Sequence, residues 1–423
     1  MIRCCFSPNN ATEYLKTCNF LILRRTVEHW AVPIMTTENF LLPGKNTSES
    51  DMRSIPSIDH GPDLYLEFQG QRLLNLASNN YLGLAGSEKM RETSIRAVEE
   101  FGTSSGASRL ISGNYSLYTA LEEALCRFKN TSAALVFGSG YAANLGILST
   151  LAHRKCLVFS DRLNHASIID GITLSRAAHV RYRHANPEHL EYLLAKKPVQ
   201  APKILITDTV FSMDGDKAPL PEILNLCKKY RVLTIVDEAH ATGILGRGRG
   251  LVHEMGLQQE IDLHMGTFSK ALGSYGGYAA GSRELVDLLV NRARSFIYST
   301  SLPPAVVGAS LEALQHVQAH PDQGQKLLEI SCELRSHLQE LGFDTGTSTT
   351  QIIPVIMKSS QAVLQAQAGL VQAGIYTGAI RPPTVPADSA RLRLCLRADM
   401  TSKEMELVKK AFCKISTRQP LDE

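Results

Sequence analysis

"VLTIVDEAH" (Val232–His240) decides how this chain folds. Val232 to Val236 are all apolar or β-branched and run straight into an acid, Asp237. A strand with one wet face alternates, whereas an unbroken run marks a strand buried on both faces. "AALVF" (133–137), "CLVFSD" (156–161) and "KILITD" (203–208) read the same way, and "LHMGTF" (263–268) follows. Helical stretches separate these runs, from Tyr141, near Ile168 and near Pro221. Strand–helix alternation predicts right-handed βαβ units and a mainly parallel sheet, an α/β fold.

The flanks differ in texture. "LYLEF" (64–68) and "RLLNLAS" (72–78) predict short strands. "SLYTALEEALCRF" (116–128) repeats its apolar residues on one helical face, with Ser116 placed as a cap. Beyond about residue 315, "QIIPVIM" (351–357) and "RLRLCL" (391–396) predict strands. "SSQAVLQAQAGLVQAG" predicts a helix ended by Gly374, and Thr401 with Glu404 forms a T-x-x-E capping box. The expected organisation is an N-terminal extension at 1–34, an arm at 35–78 belonging to the small domain, a large domain at 79–315 and a smaller α+β domain at 316–423. The opening segment, "MIRCCFSPNNATEYLKTCNFLILRR", has transit-like features, but Glu13 and Glu28 oppose that reading, and Met35 is favoured as the start.

Composition narrows the function. The chain has 423 residues, 44% hydrophobic and 20% charged, with a formal net charge of +3 and no Lys/Arg block, so neither nucleic acid nor an anionic membrane is indicated. No apolar run approaches the ~20 residues that span a bilayer. The nine cysteines include no C-x-x-C pair. Reduced thiols in the cytoplasm are the expectation, rather than disulfides or a zinc cage.

D-E-A-H invites a nucleotide reading, but the phosphate-cradling G-x-x-x-x-G-K-[ST] loop is absent from the sequence. The glycines at 246, 248 and 250 follow no strand that leads into a helix, which removes a dinucleotide fingerprint and leaves a flexible turn. A zinc site at Asp237 and His240 lacks further ligands at recognisable spacing, so no metal is expected.

Ligands of parallel sheets bind beyond the carboxyl ends of the strands. Those ends carry Gly140 and Tyr141, His165, Ser212, Asp237 with His240, and Thr267 with Lys270. A helix start at Gly140 and Tyr141 offers backbone N–H groups to an anion. Asp237, ending an apolar strand, is poised for burial and requires a cationic partner. Lys270, set among Ser269, Ala271, Gly273 and Ser274, is a crowded amine suited to condense with an aldehyde. Pyridoxal 5'-phosphate has a phosphate, a ring nitrogen that becomes cationic and an aldehyde, and so accounts for all three.

From about Arg53 to Leu396 the sequence resembles the α-oxoamine synthases, fold type I PLP-dependent transferases of aminotransferase-like fold. "NNYLGL", "GTSSGASRLISGN", "DRLNHASIIDG", "VFSMDGD", "VDEAHATG" and "GTFSKALGSYGG" are similar to that family's blocks and in its order. The resemblance implies catalytic roles for Lys270, His165 and Asp237. Lys270 would carry the cofactor and then act as the base at Cα, with Asp237 on the ring nitrogen and His165 stacked on the ring. It also implies that His240, Ser212, Thr267, Gly140 and Tyr141 contact the cofactor. Thr300, in "YSTSLPP", would reach a neighbouring subunit's phosphate in a homodimer with a shared active site. Arg393 would grip the amino-acid carboxylate with a bidentate fork, and Thr384, Asn79 and Arg53 would contact substrate. "AIRPPTVP" (379–386) is similar to the members that condense L-alanine with pimeloyl-CoA or pimeloyl-carrier protein; members that use glycine or another acyl-CoA are the alternative.

Overall fold

The structure, a computed structural model, describes residues 55–416 except His60 and Pro62. The extension at 1–34, the start of the arm and Arg53 lie outside the described residues. β1 (Tyr65–Phe68) and β2 (Gln71–Asn75) form an antiparallel hairpin. β3 (Ala133–Phe137), β4 (Leu157–Asp161), β5 (Ala178–Tyr182), β6 (Lys203–Asp208), β7 (Leu233–Asp237), β8 (Leu263–Thr267) and β9 (Gly277–Gly281) make a seven-stranded sheet in the order β3-β9-β8-β7-β6-β4-β5. Only β9 runs antiparallel to its neighbours, so the sheet is mainly parallel as the apolar runs predict. β10 (Ile352–Lys358), β11 (Ile375–Tyr376), β12 (Gly378–Ile380) and β13 (Ala390–Cys395) follow. β10, β13 and β12 form an antiparallel sheet, and β11 joins the hairpin parallel to β2.

The unbroken apolar runs divide their residues between two cores. Ile204 and Ile206 of β6 pack on one face of the sheet with Ile235, Met265, Ile147 and Ile168, while Leu205 packs on the other with Val236, Val136 and Leu224. Alternation is therefore present, but both faces are apolar because helices cover both. Helix Gly140–Leu151 lies on the first face and helix Leu220–Tyr230 on the second. Helix Ser116–Lys129 begins one residue earlier than its expected cap implies. Tyr115 occupies the N-cap and Ser116 is already helical. The capping box at Thr401 does form: the Glu404 carboxylate accepts from Thr401 N–H at 2.9 Å.

The glycines at 246, 248 and 250 form a packed turn rather than a loose one. Gly250 has φ 116°, and a Cβ there would lie 2.3 Å from Glu238 Oε1. Glu238 is fully buried and accepts from Lys129 Nζ at 2.8 Å, from Val252 N–H at 3.1 Å and from His264 Nδ1 at 3.3 Å. Lys129 Nζ also donates to Thr242 Oγ1 at 3.1 Å and to the Arg249 carbonyl. Burial pushes the Glu238 carboxyl up, but Lys129 and His264 outweigh it and hold the group below the carboxylate range. Removing one member strands a buried charge, which typically costs about 3–5 kcal/mol. Lys129→Met is expected to lower unfolding stability by that order in urea titration, and Lys129→Met with Glu238→Leu to recover most of the loss.

Candidate active site

The carboxyl edge of the large sheet opens into a cleft of about 190 Å³ lined by Gly140, Tyr141, His165, Ser212, Asp237, His240, Thr267 and Lys270. Every cofactor contact expected from the sequence except Thr300 is therefore in one place.

Its anion end is built at the start of helix Gly140–Leu151. Ser139 caps that helix, its hydroxyl taking Ala142 N–H at 3.0 Å and its carbonyl taking Ala143 N–H at 3.0 Å. The N–H groups of Gly140 and Tyr141 remain for a ligand, where the helix dipole also favours negative charge. Thr267 Oγ1 stands beside them, 2.8 Å from Ser269 Oγ and 2.6 Å from the Gly276 carbonyl. The Tyr141 side chain itself is half exposed and its hydroxyl donates to Asp170.

Asp237 ends β7, 4% exposed. Its carboxylate accepts from Asn144 Nδ2 at 2.8 Å and from Ala239 N–H at 2.9 Å, and among the described residues it makes no ion pair with Lys, Arg or His. Asn144 passes its second amide proton to Ser167 Oγ at 2.9 Å, and its own Oδ1 is buried without a partner. A buried carboxylate held only by neutral donors is a place prepared for an incoming cation. His165 caps helix Ala166–Ser175 and accepts from Ser167 N–H at 3.3 Å through Nδ1. Burial lowers its pKa, leaving a neutral flat ring over the cleft.

Lys270 lies in the connection between β8 and β9. Gly273 fixes that connection: its φ is 60°, and a Cβ there would stand 2.3 Å from Ala85 N. Lys270 Nζ sits 2.8 Å from His240 Nε2. Burial brings the amine down to about 8, against the pull of Asp237 and Asp208. Burial and the charges of Lys270 and Arg393 hold His240 well below the ordinary imidazole range.

Arg393 enters from β13. Its Nε donates to the Ser212 carbonyl at 2.6 Å, and Nη1 donates to Asn79 Oδ1 at 3.1 Å and Cys395 Sγ at 2.9 Å. Tyr81 Oη lies 2.7 Å from His240 Nδ1 and accepts from Arg393 Nη2 at 3.5 Å, so Arg393 connects to Lys270 through two side chains. The two-pronged grip expected of Arg393 is not set up in this arrangement, because Nη1 is already committed. Thr384 is exposed in a turn, its N–H on the Arg381 carbonyl at 3.0 Å, and does not line the cleft. Thr300 lines a separate cavity with Arg109 and Tyr118.

Sequence reading missed Asp208, Asn144 and Tyr81. Asp208 had a signal: "ILITD" ends on an acid just as "LTIVD" does. It is buried beside Asp237, and burial and that neighbour raise its pKa well above the carboxylate range. It accepts from His165 N–H at 2.9 Å, fixing the ring's backbone. Tyr81 carried no signal beyond lying in the matched block "NNYLGL", and Asn144 carried none.

The family model "Aminotransferase class I and II" matches residues 71–412. A Bacillus cereus protein provisionally named as an 8-amino-7-oxononanoate synthase is 47% identical over 356 residues, covering 84% of this chain and 90% of that one. Serine palmitoyltransferase of Sphingomonas wittichii superposes with a TM-score of 0.84 at 32% identity, covering 86% and 93%. A serine palmitoyltransferase solved with pyridoxal phosphate gives 0.83 at 31%, covering 86% and 92%. The chain belongs to the aminotransferase class I and II family of pyridoxal-phosphate enzymes, and within it to the α-oxoamine synthases. The cleft fits that cofactor on its own evidence: two uncommitted helix N–H groups for phosphate, an unpaired buried carboxylate for a ring nitrogen and a desolvated amine for an aldehyde. Only the free amine condenses, so loading of the apoprotein is expected to speed up about tenfold per pH unit until pH reaches about 8 and then level off. Stopped-flow absorbance across pH checks this, and Lys270→Ala is expected to give no borohydride-trapped mass.

Proposed function

We propose that this enzyme condenses L-alanine with pimeloyl-CoA, or pimeloyl-carrier protein, to give 8-amino-7-oxononanoate, CoA and CO2, a step of biotin biosynthesis. The observation that carries the reading is the placement of a buried arginine, Arg393, two side chains away from a desolvated lysine. An α-amino acid offers a carboxylate for one and an amine chemistry for the other. The 47% identity to a relative with that provisional name supports the acyl substrate, against 32% to a serine palmitoyltransferase.

Bound pyridoxal phosphate supplies an aldehyde that takes up the amino group and a ring that withdraws electrons from Cα. Gly140 and Tyr141 N–H groups with Thr267 bind the phosphate. Asp237 holds a proton at the ring nitrogen, and Asn144 and Ala239 N–H keep its carboxylate aimed. His165 covers the ring and shields it from water. Lys270 takes the proton from the alanine Cα and returns a proton there after carbon–carbon bond formation and loss of CO2. Arg393 anchors the carboxylate, exchanging Asn79 for it, with Thr384 proposed as a further substrate contact and Arg53 at the acyl end.

Thr300 stands outside its own chain's cleft, which supports a role in a partner's cleft and hence a homodimer with a shared site. Six unpaired cysteines among the described residues support a reducing compartment, and cytoplasmic placement is part of the proposal.

The assay is PLP-loaded protein with L-alanine and pimeloyl-CoA, read as free thiol and product mass, with glycine, L-serine and other acyl-CoAs in parallel. Alanine with the pimeloyl thioester is expected to dominate; faster turnover of glycine or serine would reassign the substrate. Arg393→Lys keeps the charge but loses the planar fork. It is expected to raise the KM for alanine about tenfold or more, corresponding to about 1.4 kcal/mol or more, with a smaller effect on the KM for acyl-CoA.

A further inference from the structure

Asn79, His240 and Arg393 approach the buried hydroxyl of Tyr81, with Gln351 and Cys395 also beside it. Asn79 Oδ1 lies at 3.1 Å, His240 Nδ1 at 2.7 Å and Arg393 Nη2 at 3.5 Å. The guanidinium can only donate, so it fills the phenol oxygen as an acceptor. The single phenol proton then has two candidate acceptors. Asn79 Oδ1 already receives Arg393 Nη1 at 3.1 Å, whereas among the described residues His240 Nδ1 has no other donor. Burial holds the phenol well above its ordinary range, so the proton stays on it. Burial and nearby cations keep His240 neutral. A neutral imidazole carries one N–H, and the partner of the other nitrogen selects which.

We propose that Tyr81 donates to His240 Nδ1, so that His240 carries its hydrogen on Nε2 and directs it at Lys270 Nζ. The inference rests on the reading of the cleft as a pyridoxal-phosphate site with Lys270 as its amine. A free amine accepts that N–H through its lone pair. An ammonium has no lone pair and meets it donor to donor. Tyr81 is thus a positioning residue that acts through His240 to favour uncharged Lys270. This is the form whose lone pair makes the N–C bond to an aldehyde, the aldehyde oxygen leaving as water. The other ionisable groups around Lys270 are Asp237, Asp208, His165, Arg393 and Cys395, and all are retained when Tyr81 is changed.

Tyr81→Phe keeps the ring and removes the donor. His240 can then carry its hydrogen on Nδ1 and accept from a charged Lys270 at Nε2. The pH midpoint for loading apoprotein with pyridoxal phosphate is expected to rise by about one unit, making loading about tenfold slower at about pH 7, with the high-pH plateau preserved. Equal slowing at every pH with an unmoved midpoint is what a merely structural tyrosine would give, and it would overturn the proposal. A second readout needs only wild-type apoprotein. Nitrogen-15 NMR of the histidines, with the His240 signals identified by their loss in His240→Gln, is expected to show a protonated Nε2 and a bare Nδ1. A proton on Nδ1 would sink the idea whether or not Tyr81→Phe folds. If wild type failed to load at all, the cofactor reading of the cleft would fall, while the His240 nitrogens would still decide this inference.

Discussion

The contact between Lys270 Nζ and His240 Nε2, at 2.8 Å, is the interaction on which the site depends. A lysine that must act as nucleophile and base has to be kept out of water and out of a tight ion pair. This fold achieves both. Lys270 is partly buried, and its nitrogen meets a neutral ring rather than Asp237 or Asp208. Those two acids set the field around the amine without pairing with it. The parallel sheet makes this possible, because its strands deliver Asp208, Asp237 and Thr267 to one edge while their apolar residues fill both cores.

Within D-E-A-H the labour is divided. Asp237 and His240 face the cleft. Glu238 faces away, onto Lys129 and His264, and the glycine turn that follows is packed against its carboxylate. The motif therefore has one wall in the reaction space and the other in a buried ionic cluster.

Much of this could be read from the residues. The unbroken apolar runs announced β3, β4, β6, β7 and β8, and their terminal polar residues announced the cleft. β9 was not legible, because "GYAAG" lacks the bulk that marks a strand. Small residues are required there: a Cβ on Gly277 would lie 2.7 Å from Gly140 N, inside the phosphate-facing turn. The Arg393 network was half legible. The arginine stood out as a matched residue, but its present partners depend on how β13 packs against residues 79–81 and 212, which no local pattern encodes. Tyr81 is core, yet its hydroxyl joins the two halves of the site. Arg53 lies outside the described residues, and Thr384 and Thr300 lie away from the cleft, so family resemblance alone carries those three.

The antiparallel sheet and the hairpin share a seam, where Cys395 N–H meets the Leu76 carbonyl at 2.8 Å and β11 lies along β2. This seam has a consequence for the order in which the protein acquires its parts during translation. Every side chain that lines the cleft lies between residues 139 and 270, whereas Arg393 waits for the last strand. A growing polypeptide therefore contains the whole lining of the cleft well before Arg393 emerges. The ribosome must release almost the entire chain before Asn79 and Arg393, 314 positions apart, can meet.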